Sequence, residues 1–238
     1  MASRLCFIST PVESKSLFQE IEVDFDYYPG FSLSQKQKSI DSLHCSINAA
    51  FPGLKLLEIS TKSRNPLGNM LSAFHLKLTH PMYNHEYPLE NVFQSSKLFE
   101  NGKQYLDLLN THPGKAKRDL RLKNSGKLIG FRFNDIDWPL DPPSMFYDWL
   151  YIEVVRNKED LHNELIKYDA FTDIEFNHHK SLNCQARSAA ILVSLLRKGM
   201  IKKPSVCLKI EDMKSFYPQK GTIPQRIFRP TSDDKNKI

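Results

Sequence analysis

The chain has 238 residues, of which 40% are hydrophobic and 25% are charged, a balance typical of a globular protein with a full core. No apolar run approaches the roughly 18–20 residues of a membrane span, and the N-terminus lacks a signal-peptide core, so we expect a cytoplasmic protein with no membrane partner. Four scattered cysteines without metal-ligand spacing predict free thiols. The formal net charge of +6 favours anionic partners such as nucleotides, nucleic acid or phosphates.

The first part of the chain predicts three strands and one long helix. Residues 18–27 alternate acids with apolar side chains, as a half-buried strand does. Ser34 follows the turn at Pro29-Gly30 and is placed to cap a helix that runs to about Ala50. Residues 54–61 and 71–79 predict two more strands, with the polar loop 62–68 between them.

The remainder of the chain is predominantly helical. Residues 89–99 and 105–109 predict helices, and a strongly basic helix is expected from Pro113. Ser144 is placed to cap a helix over 145–156, and helices over 158–168 and 183–198 follow, the last ending at Gly199. The polar stretch 231–238 predicts disorder. Because helices outnumber strands, we predict an α+β fold, a mostly helical single domain with a small sheet.

A polar run directly before the last helix predicts a ligand site. Residues 189–196 are almost wholly apolar, which indicates a buried helix, so the polar groups before it lie at the edge of the core. The free N–H groups of a helix start favour an anion there. Helix capping alone would account for part of this pattern. The candidate residues are Asp173, Asn183, Gln185 and Arg187.

Two further candidates each have a simpler alternative as solvated surface. Glu90, Gln94 and Lys97 share one stripe of the predicted helix, yet Glu90 lies in its first turn, where partial burial raises the pKa of a carboxyl. Such a group suits a general acid or a clamp on ribose hydroxyls. Lys62 ends a predicted strand; if its loop covers a pocket, burial lowers the pKa of its amine and makes it a nucleophile.

A basic run and a tryptophan complete the candidates. The stretch 115–127 has Asp119 as its one acid, which indicates phosphate or nucleic-acid contact, although a solvated face is the simpler reading. Trp138 precedes Pro139 in a predicted loop and is a candidate for stacking on a base, with burial in the core as the alternative.

Several of these motifs, in this order, resemble the NADAR-domain family. In that family a lysine precedes a Gly…Leu-Ser-Asn-Phe element, and a Glu-His-Ala-x-Gln-x-x-Lys-Phe helix follows. The chain departs from the pattern at Ala73, at Asn91 and at Ser181-Leu182. The matching elements are Ser60-Thr61-Lys62, Pro66-Leu67-Gly68, Leu71-Ser72-Ala73-Phe74, residues 88–99, Pro113 with Ala116-Lys117, Trp138, Asp173 and Asn183.

Further motifs resemble the branch associated with the DNA ADP-ribosyltransferase toxin DarT1. They lie at residues 30–39, 124–130 and 146–151. The likeness covers about residues 18–201. It predicts an N-terminal extension over 1–17, a NADAR/YbiA-like catalytic domain over 18–201, and a basic, partly disordered tail over 202–238.

The resemblance implies an ADP-ribosyl glycohydrolase that removes ADP-ribose from guanine bases of DNA, as an antitoxin or a phage counter-defence factor. It implies Lys62 as the nucleophile that forms a Schiff-base-type adduct with the anomeric carbon. Glu90 would assist ring opening or proton transfer, and Asp173 would position ribose or water. No metal and no cofactor are expected, and the partners implied are ADP-ribosylated DNA and a DarT1-like toxin.

The expected substrate-binding residues are Gly68, Ser72, Phe74, Gln94, Trp138, Asn183, Gln185 and Arg187. Two other functions stay open. One is an N-glycosidase that acts on a riboflavin-pathway intermediate, the other chemistry of NADAR relatives. The second is a non-catalytic protein that binds ADP-ribose or modified DNA.

Overall fold

The computed structural model describes residues 2–178, 181, 183–201 and 208–217, together with the backbone of residues 225–227. The described strands are β1 (Ala2–Ser9), β2 (Phe18–Phe25), β3 (Leu56–Glu58), β4 (Lys77–His80), β5 (His85–Pro88), β6 (Lys97–Phe99), β7 (Leu128–Phe133), β8 (Ile136–Trp138), β9 (Ala170–Thr172) and β10 (Gln225–Ile227). The described α-helices are α1 (Leu33–Ala50), α2 (Pro66–Met70), α3 (Leu89–Ser95), α4 (Pro113–Ala116), α5 (Arg121–Asn124), α6 (Met145–Arg156), α7 (Glu159–Leu165), α8 (Gln185–Arg197) and α9 (Ile210–Ser215). A 3-10 helix spans Leu106–Asn110. The predicted α+β class is confirmed.

The largest sheet in the described part of the chain has the strand order β10-β2-β1-β9-β3. β1 is antiparallel to both of its neighbours, whereas β3 is parallel to β9 and β10 is parallel to β2. Glu58 lies opposite Thr172 at the ends of β3 and β9. Since parallel strands end at the same edge of a sheet, the segments that follow β3 and β9 leave it side by side.

Both ends of the described chain contribute to this fold. Residues 2–9, which the sequence placed in an extension, form the central strand β1, with Cys6 and Phe7 buried. Within the segment predicted as a tail, α9 packs Met213 into the core, and β10 pairs with β2. Residues 231–238, which the sequence predicts to be disordered, lie outside the described residues. Cys207 also lies outside them.

Helices cover the sheet on separate faces. α1 packs Ile40, Leu43 and Ile47 against β2. α6 and α8 pack against each other in the larger core, and every residue of α6 is buried. α8 is buried from Gln185 to Leu195 except at Arg187, in agreement with its apolar sequence. None of the described helices combines the length and apolar character of a membrane span.

Four local predictions were wrong. Ser32, not Ser34, caps α1, because its hydroxyl accepts a hydrogen bond from the Gln35 N–H at 3.3 Å. The helix predicted over 89–99 ends at Ser95, since the hydroxyls of Ser95 and Ser96 both bond to the Val92 carbonyl and residues 97–99 form β6.

The other two differences lie in turns. The strand predicted over 71–79 is reduced to β4, since residues 71–75 turn and the Ser72 carbonyl accepts the N–H groups of His75 and Leu76. The basic helix expected from Pro113 is divided into α4 and α5, because the Asp119 carboxylate accepts the Arg121 N–H at 2.9 Å and begins a new turn.

Candidate active site

The turn that carries Lys62 begins where β3 ends. The Ile59 N–H still donates to the Thr172 carbonyl at 2.8 Å, and the chain then turns at Ser60, whose hydroxyl accepts the Lys62 N–H at 3.1 Å. The Asn69 side chain donates to the Thr61 carbonyl at 3.0 Å. These bonds fix the backbone of the turn, and the Lys62 side chain is half-buried.

Gly68 lies directly against the end of β3. A Cβ at this position would be 1.9 Å from the carbonyl oxygen of Glu58 and 2.6 Å from the Ser63 hydroxyl. The absence of a side chain therefore allows α2 to pack on β3 and on the Lys62 turn. This contact explains the glycine without a role in ligand binding.

The turn at residues 72–74 joins the site to α3. The Ala73 N–H donates to the Gln185 side chain at 2.8 Å, and its carbonyl accepts the Glu90 N–H at 3.0 Å. Ser72 is buried, and its hydroxyl accepts the Phe74 N–H at 3.4 Å. The ring of Phe74 is half-buried, with the Lys117 ammonium 5.8 Å from its centroid.

Gln185 connects three of these segments. Its side-chain nitrogen donates to the Ile59 carbonyl at 2.6 Å, and its oxygen accepts the Ala73 N–H. The same amide hydrogen-bonds to Asp173. One buried side chain thus holds the strand before Lys62, the turn before Phe74 and the acid after β9 in a fixed relation.

Asp173 is the buried acid of the site. Its carboxylate accepts the Glu175 N–H at 3.0 Å. Burial raises the pKa of Asp173 to about 7, and the nearby Glu58 adds to the rise, whereas Lys117 opposes it. A carboxyl with this pKa exchanges protons near neutral pH.

Glu90 and Gln94 form a buried polar pair on α3. Both are buried, and the Gln94 amide nitrogen donates to Glu90 Oε1 at 2.8 Å. The Gln94 side-chain oxygen is buried and has no hydrogen-bond partner among the described residues. The charges of Glu90 and Asp173 both act on the buried Tyr147, whose pKa is raised mainly by burial, so the two acids lie near the same side chain.

Two lysines complete the site, and sequence reasoning did not select them as site residues. The Lys97 ammonium lies 5.4 Å from the centre of the Phe93 ring, and burial lowers its pKa; Glu90 opposes this effect and Lys117 adds to it. The sequence signals were present, since Lys97 shares a motif with Glu90 and Lys117 ends the Pro113 motif. Lys97 lies in β6, however, so the expected helix stripe was wrong.

Trp138 and Arg187 make their contacts with core residues other than the acids and lysines described above. Trp138 lies in β8 rather than in a loop, is 3% exposed, and packs its ring 4.6 Å from Trp149 and 5.5 Å from Phe146. No face of the ring is open to a base, so the stacking expectation does not fit this structure.

Arg187 pairs with a buried acid instead of lining a cationic cradle. Its guanidinium donates to Asp148 Oδ2 at 2.8 Å, and Asp148 also accepts the hydroxyls of Ser188 and Tyr217. The charge of Arg187 is therefore offset within the core. Asn183 is half-buried two residues before α8.

The two arginines of the basic run have polar partners among the described residues. Arg121 binds Asp107 at 2.6 Å and Asp119 at 2.9 Å, and the Arg118 side chain donates to the Gly114 carbonyl at 2.9 Å. Lys117 is the member of this run that reaches the site. Among the described residues, no group of three or more His, Cys, Asp and Glu side chains is arranged to hold a metal ion. A cavity of about 230 Å³ that includes Met70, His75 and Lys158 in its lining contains none of the predicted site residues.

These features define an α+β protein whose site combines buried acids, a bridging amide and lysines at one edge of the sheet. The sequence model of the DarT1-associated NADAR antitoxins matches residues 2–220, and the chain belongs to this family. The predicted family is confirmed, and the match extends beyond residues 18–201 at both ends. A search of curated proteins gives no match.

Membership in the family has direct consequences. It supports an antitoxin role and implies a DarT1-like toxin as partner. NADAR proteins are generally hydrolase-like and act as N-glycosidases.

Proposed function

We propose that this protein is an ADP-ribosyl glycohydrolase that removes ADP-ribose from guanine bases of DNA and thereby reverses the modification made by a DarT1-like toxin. The observation that carries the proposal is the bridge made by Gln185. It ties the turn of Lys62 to Asp173, an acid whose pKa of about 7 suits proton exchange at neutral pH. A lysine nucleophile and a proton donor are the two groups that this reaction needs.

In the proposed reaction the lone pair of Lys62 Nζ attacks the anomeric carbon of the ribose. The bond from this carbon to the guanine nitrogen breaks, its electron pair leaves with the base, and the base takes a proton from Asp173. Glu90 then carries a proton from the new ammonium to the ring oxygen as the ring opens, which leaves a Schiff base on Lys62. Water adds to the same carbon, a proton returns to Asp173, and the amine leaves to give free ADP-ribose.

The other residues position the substrate. We assign Lys97 and Lys117 to the negative charge of the pyrophosphate and Phe74 to a ring face of the ligand, because Lys117 and Phe74 lie together at the site. The unpaired oxygen of Gln94 suits a ribose hydroxyl. Ser72 and Gln185 support the surrounding backbone. Trp138 and Arg187 are assigned no contact with the substrate, because their partners lie in the core.

The test uses two single-stranded oligonucleotides, one ADP-ribosylated on guanine and the other on thymine. We expect release of ADP-ribose from the guanine adduct only. Lys62→Ala should lower kcat by roughly 10³-fold or more, as loss of a nucleophile does. Trapping with borohydride should place the adduct on the Lys62 peptide and not on the peptides of Lys97 or Lys117.

Lys77→Ala is the matched control, because Lys77 is an exposed lysine on β4 that makes none of the contacts described for the site. Tight binding of the guanine adduct without release would refute the hydrolase and favour a reader of modified DNA. Base release from a riboflavin-pathway intermediate, with no release from DNA, would favour the other N-glycosidase function. Trapping on Lys97 would keep the reaction and change the nucleophile.

A further inference from the structure

Glu58 is a buried carboxyl at the end of β3, next to the strand end that leads to Asp173. It is 3% exposed and lies opposite Thr172 on β9. Glu58 Oε2 accepts the Thr172 hydroxyl at 2.6 Å, and Oε1 accepts the Ile174 N–H at 2.9 Å. These donors belong to the residues directly before and after Asp173, so Glu58 holds the backbone on both sides of that acid.

The same carboxyl also reaches the turn of Lys62. The side chain of the buried Ser60 hydrogen-bonds to Glu58, and its hydroxyl accepts the Lys62 N–H at 3.1 Å. A hydroxyl both donates and accepts, so Ser60 donates to Glu58 while it accepts from Lys62. One side chain is therefore bonded to the two segments that carry the proposed nucleophile and the proposed acid.

Glu58 and Gln185 act from opposite faces of the sheet. Side chains alternate along a strand, so Thr172 points to the α1 face together with Glu58, whereas Asp173 points to the face covered by α8. Because the Thr172 proton goes to Glu58, His44 Nε2 of α1 donates to the Thr172 hydroxyl at 2.8 Å. Gln185 bonds to Asp173 itself. Glu58 thus acts on Asp173 through the backbone, without a direct contact.

We propose that Glu58 is a positioning residue, which fixes Asp173 and Lys62 relative to each other by holding the backbone of both segments from the α1 face. The catalytic part rests on the proposed glycohydrolase function, whereas the hydrogen bonds of Glu58 stand without it. Glu58 touches no substrate atom and transfers no proton in the reaction. Its loss should therefore slow the chemical step and leave substrate binding nearly unchanged.

The first test is steady-state kinetics on the guanine adduct, with rates expressed per folded molecule. Glu58→Ala should lower kcat by roughly 10²-fold with KM nearly unchanged, because a small displacement of a catalytic group is enough for such a loss. Glu58→Gln should recover much of this activity, since its amide oxygen still accepts the Ile174 N–H and its amide nitrogen can donate to the Thr172 hydroxyl.

Glu86→Gln is the matched control, because Glu86 is an exposed glutamate on β5 and its variant should keep the wild-type kcat. A Glu58→Ala variant with the wild-type kcat per folded molecule, or with a loss confined to KM, would overturn the proposal.

The second test does not depend on catalysis. In ¹⁵N-labelled protein, amide hydrogen exchange is measured by NMR at Ile174, which donates to Glu58, and at Lys62, which donates to Ser60. We expect both amides to exchange roughly tenfold faster in Glu58→Ala, with exchange across β1 unchanged. Equal acceleration across β1 would mean a general loss of stability and would make Glu58 a purely structural residue.

Thr172→Val provides a second variant in case Glu58→Ala does not fold. It removes one donor to Glu58 and keeps the shape of the side chain, so exchange at Ile174 should accelerate while Lys62, held through Ser60, stays nearly unchanged. Unchanged exchange at Ile174 in every folded variant would overturn the proposal. Faster exchange in the variants of a protein that releases no ADP-ribose would support the bonds of Glu58 while the glycohydrolase function fails.

Discussion

Gly68 shows how one missing side chain shapes the site. Its Cα lies so close to β3 that an added Cβ would stand 1.9 Å from the Glu58 carbonyl oxygen, and neither backbone segment has a flexible end that could move aside. The same segment of β3 presents the Glu58 carboxyl and leads into the turn of Lys62. Gly68 is therefore expected to matter for stability and for the placement of the proposed nucleophile.

We predict that Gly68→Ala lowers the free energy of unfolding by about 1–3 kcal/mol, the usual cost of forcing extra volume into a packed site, and lowers kcat as well. Urea unfolding and the rate of ADP-ribose release measure the two effects. Gly114→Ala is the control, since its Cβ would meet its nearest neighbour, a histidine ring atom, at 3.4 Å. Equal stability of the Gly68→Ala variant and the wild type would contradict the contact.

Individual site residues differ in how far the sequence could reveal them. Asp173 and Gln185 were predicted because a buried helix follows a polar run, and Lys62 because it belongs to a local motif. Glu58 escaped notice because its burial depends on Thr172, 114 residues away in the chain. Arg187 was expected to contact the ligand, and only the fold reveals that Asp148 neutralises it.

At the scale of elements, the residues that flank α9 fasten it to α6 through polar contacts. The Trp149 indole N–H donates to the Leu208 carbonyl at 2.9 Å, and the Leu208 N–H donates to Glu153 at 3.0 Å. At the other end, the Tyr217 hydroxyl donates to Asp148. These bonds hold the segment over α6, next to the start of α8.

We predict that Tyr217→Phe lowers the free energy of unfolding by about 1–2 kcal/mol, because the fully buried Asp148 loses one of its donors. Amide hydrogen exchange should accelerate across residues 208–217. Tyr83→Phe provides the comparison: Tyr83 is 42% exposed, and removal of its hydroxyl should change stability by less than about 0.5 kcal/mol. Unchanged exchange in the Tyr217 variant would mean that apolar packing alone holds α9.

Elements with strong local signals were predicted well, and those that depend on distant partners were not. α6 and α8 have long apolar patterns, and their predicted bounds agree with the structure within two residues at either end. β6 was read as helix, because its strand form depends on pairing with β7. β1 was not predicted at all, although it lies at the centre of the sheet and pairs with β2 and β9.

For the molecule as a whole, two buried groups make opposite contributions to the pH dependence of the free energy of unfolding. Asp173 has a pKa of about 7 in the folded protein against an ordinary value of 3.8, so the folded state binds more protons and this contribution to stability falls as pH rises between these values. His44 has a pKa of about 4 against 6.5, so its contribution rises with pH over nearly the same interval.

We predict that the stability of Asp173→Asn relative to the wild type increases from pH 4 to pH 7, with a slope of at most about 1.4 kcal/mol per pH unit. His44→Gln should change in the opposite direction over this range. Urea unfolding at a series of pH values measures both slopes. Parallel stability curves for the wild type and either variant would contradict the shifted pKa of that residue.

The pairing of β1 with β9 also has a consequence for synthesis of the protein. β1 is translated long before its partner β9, the Asp173 carboxyl and the Gln185 bridge. Such distant contacts form only after a large loop has closed, which slows folding. A ribosome must therefore translate past α8 before the nascent chain can assemble the candidate site, so any activity of this site begins with a delay set by translation and by the closing of this sheet.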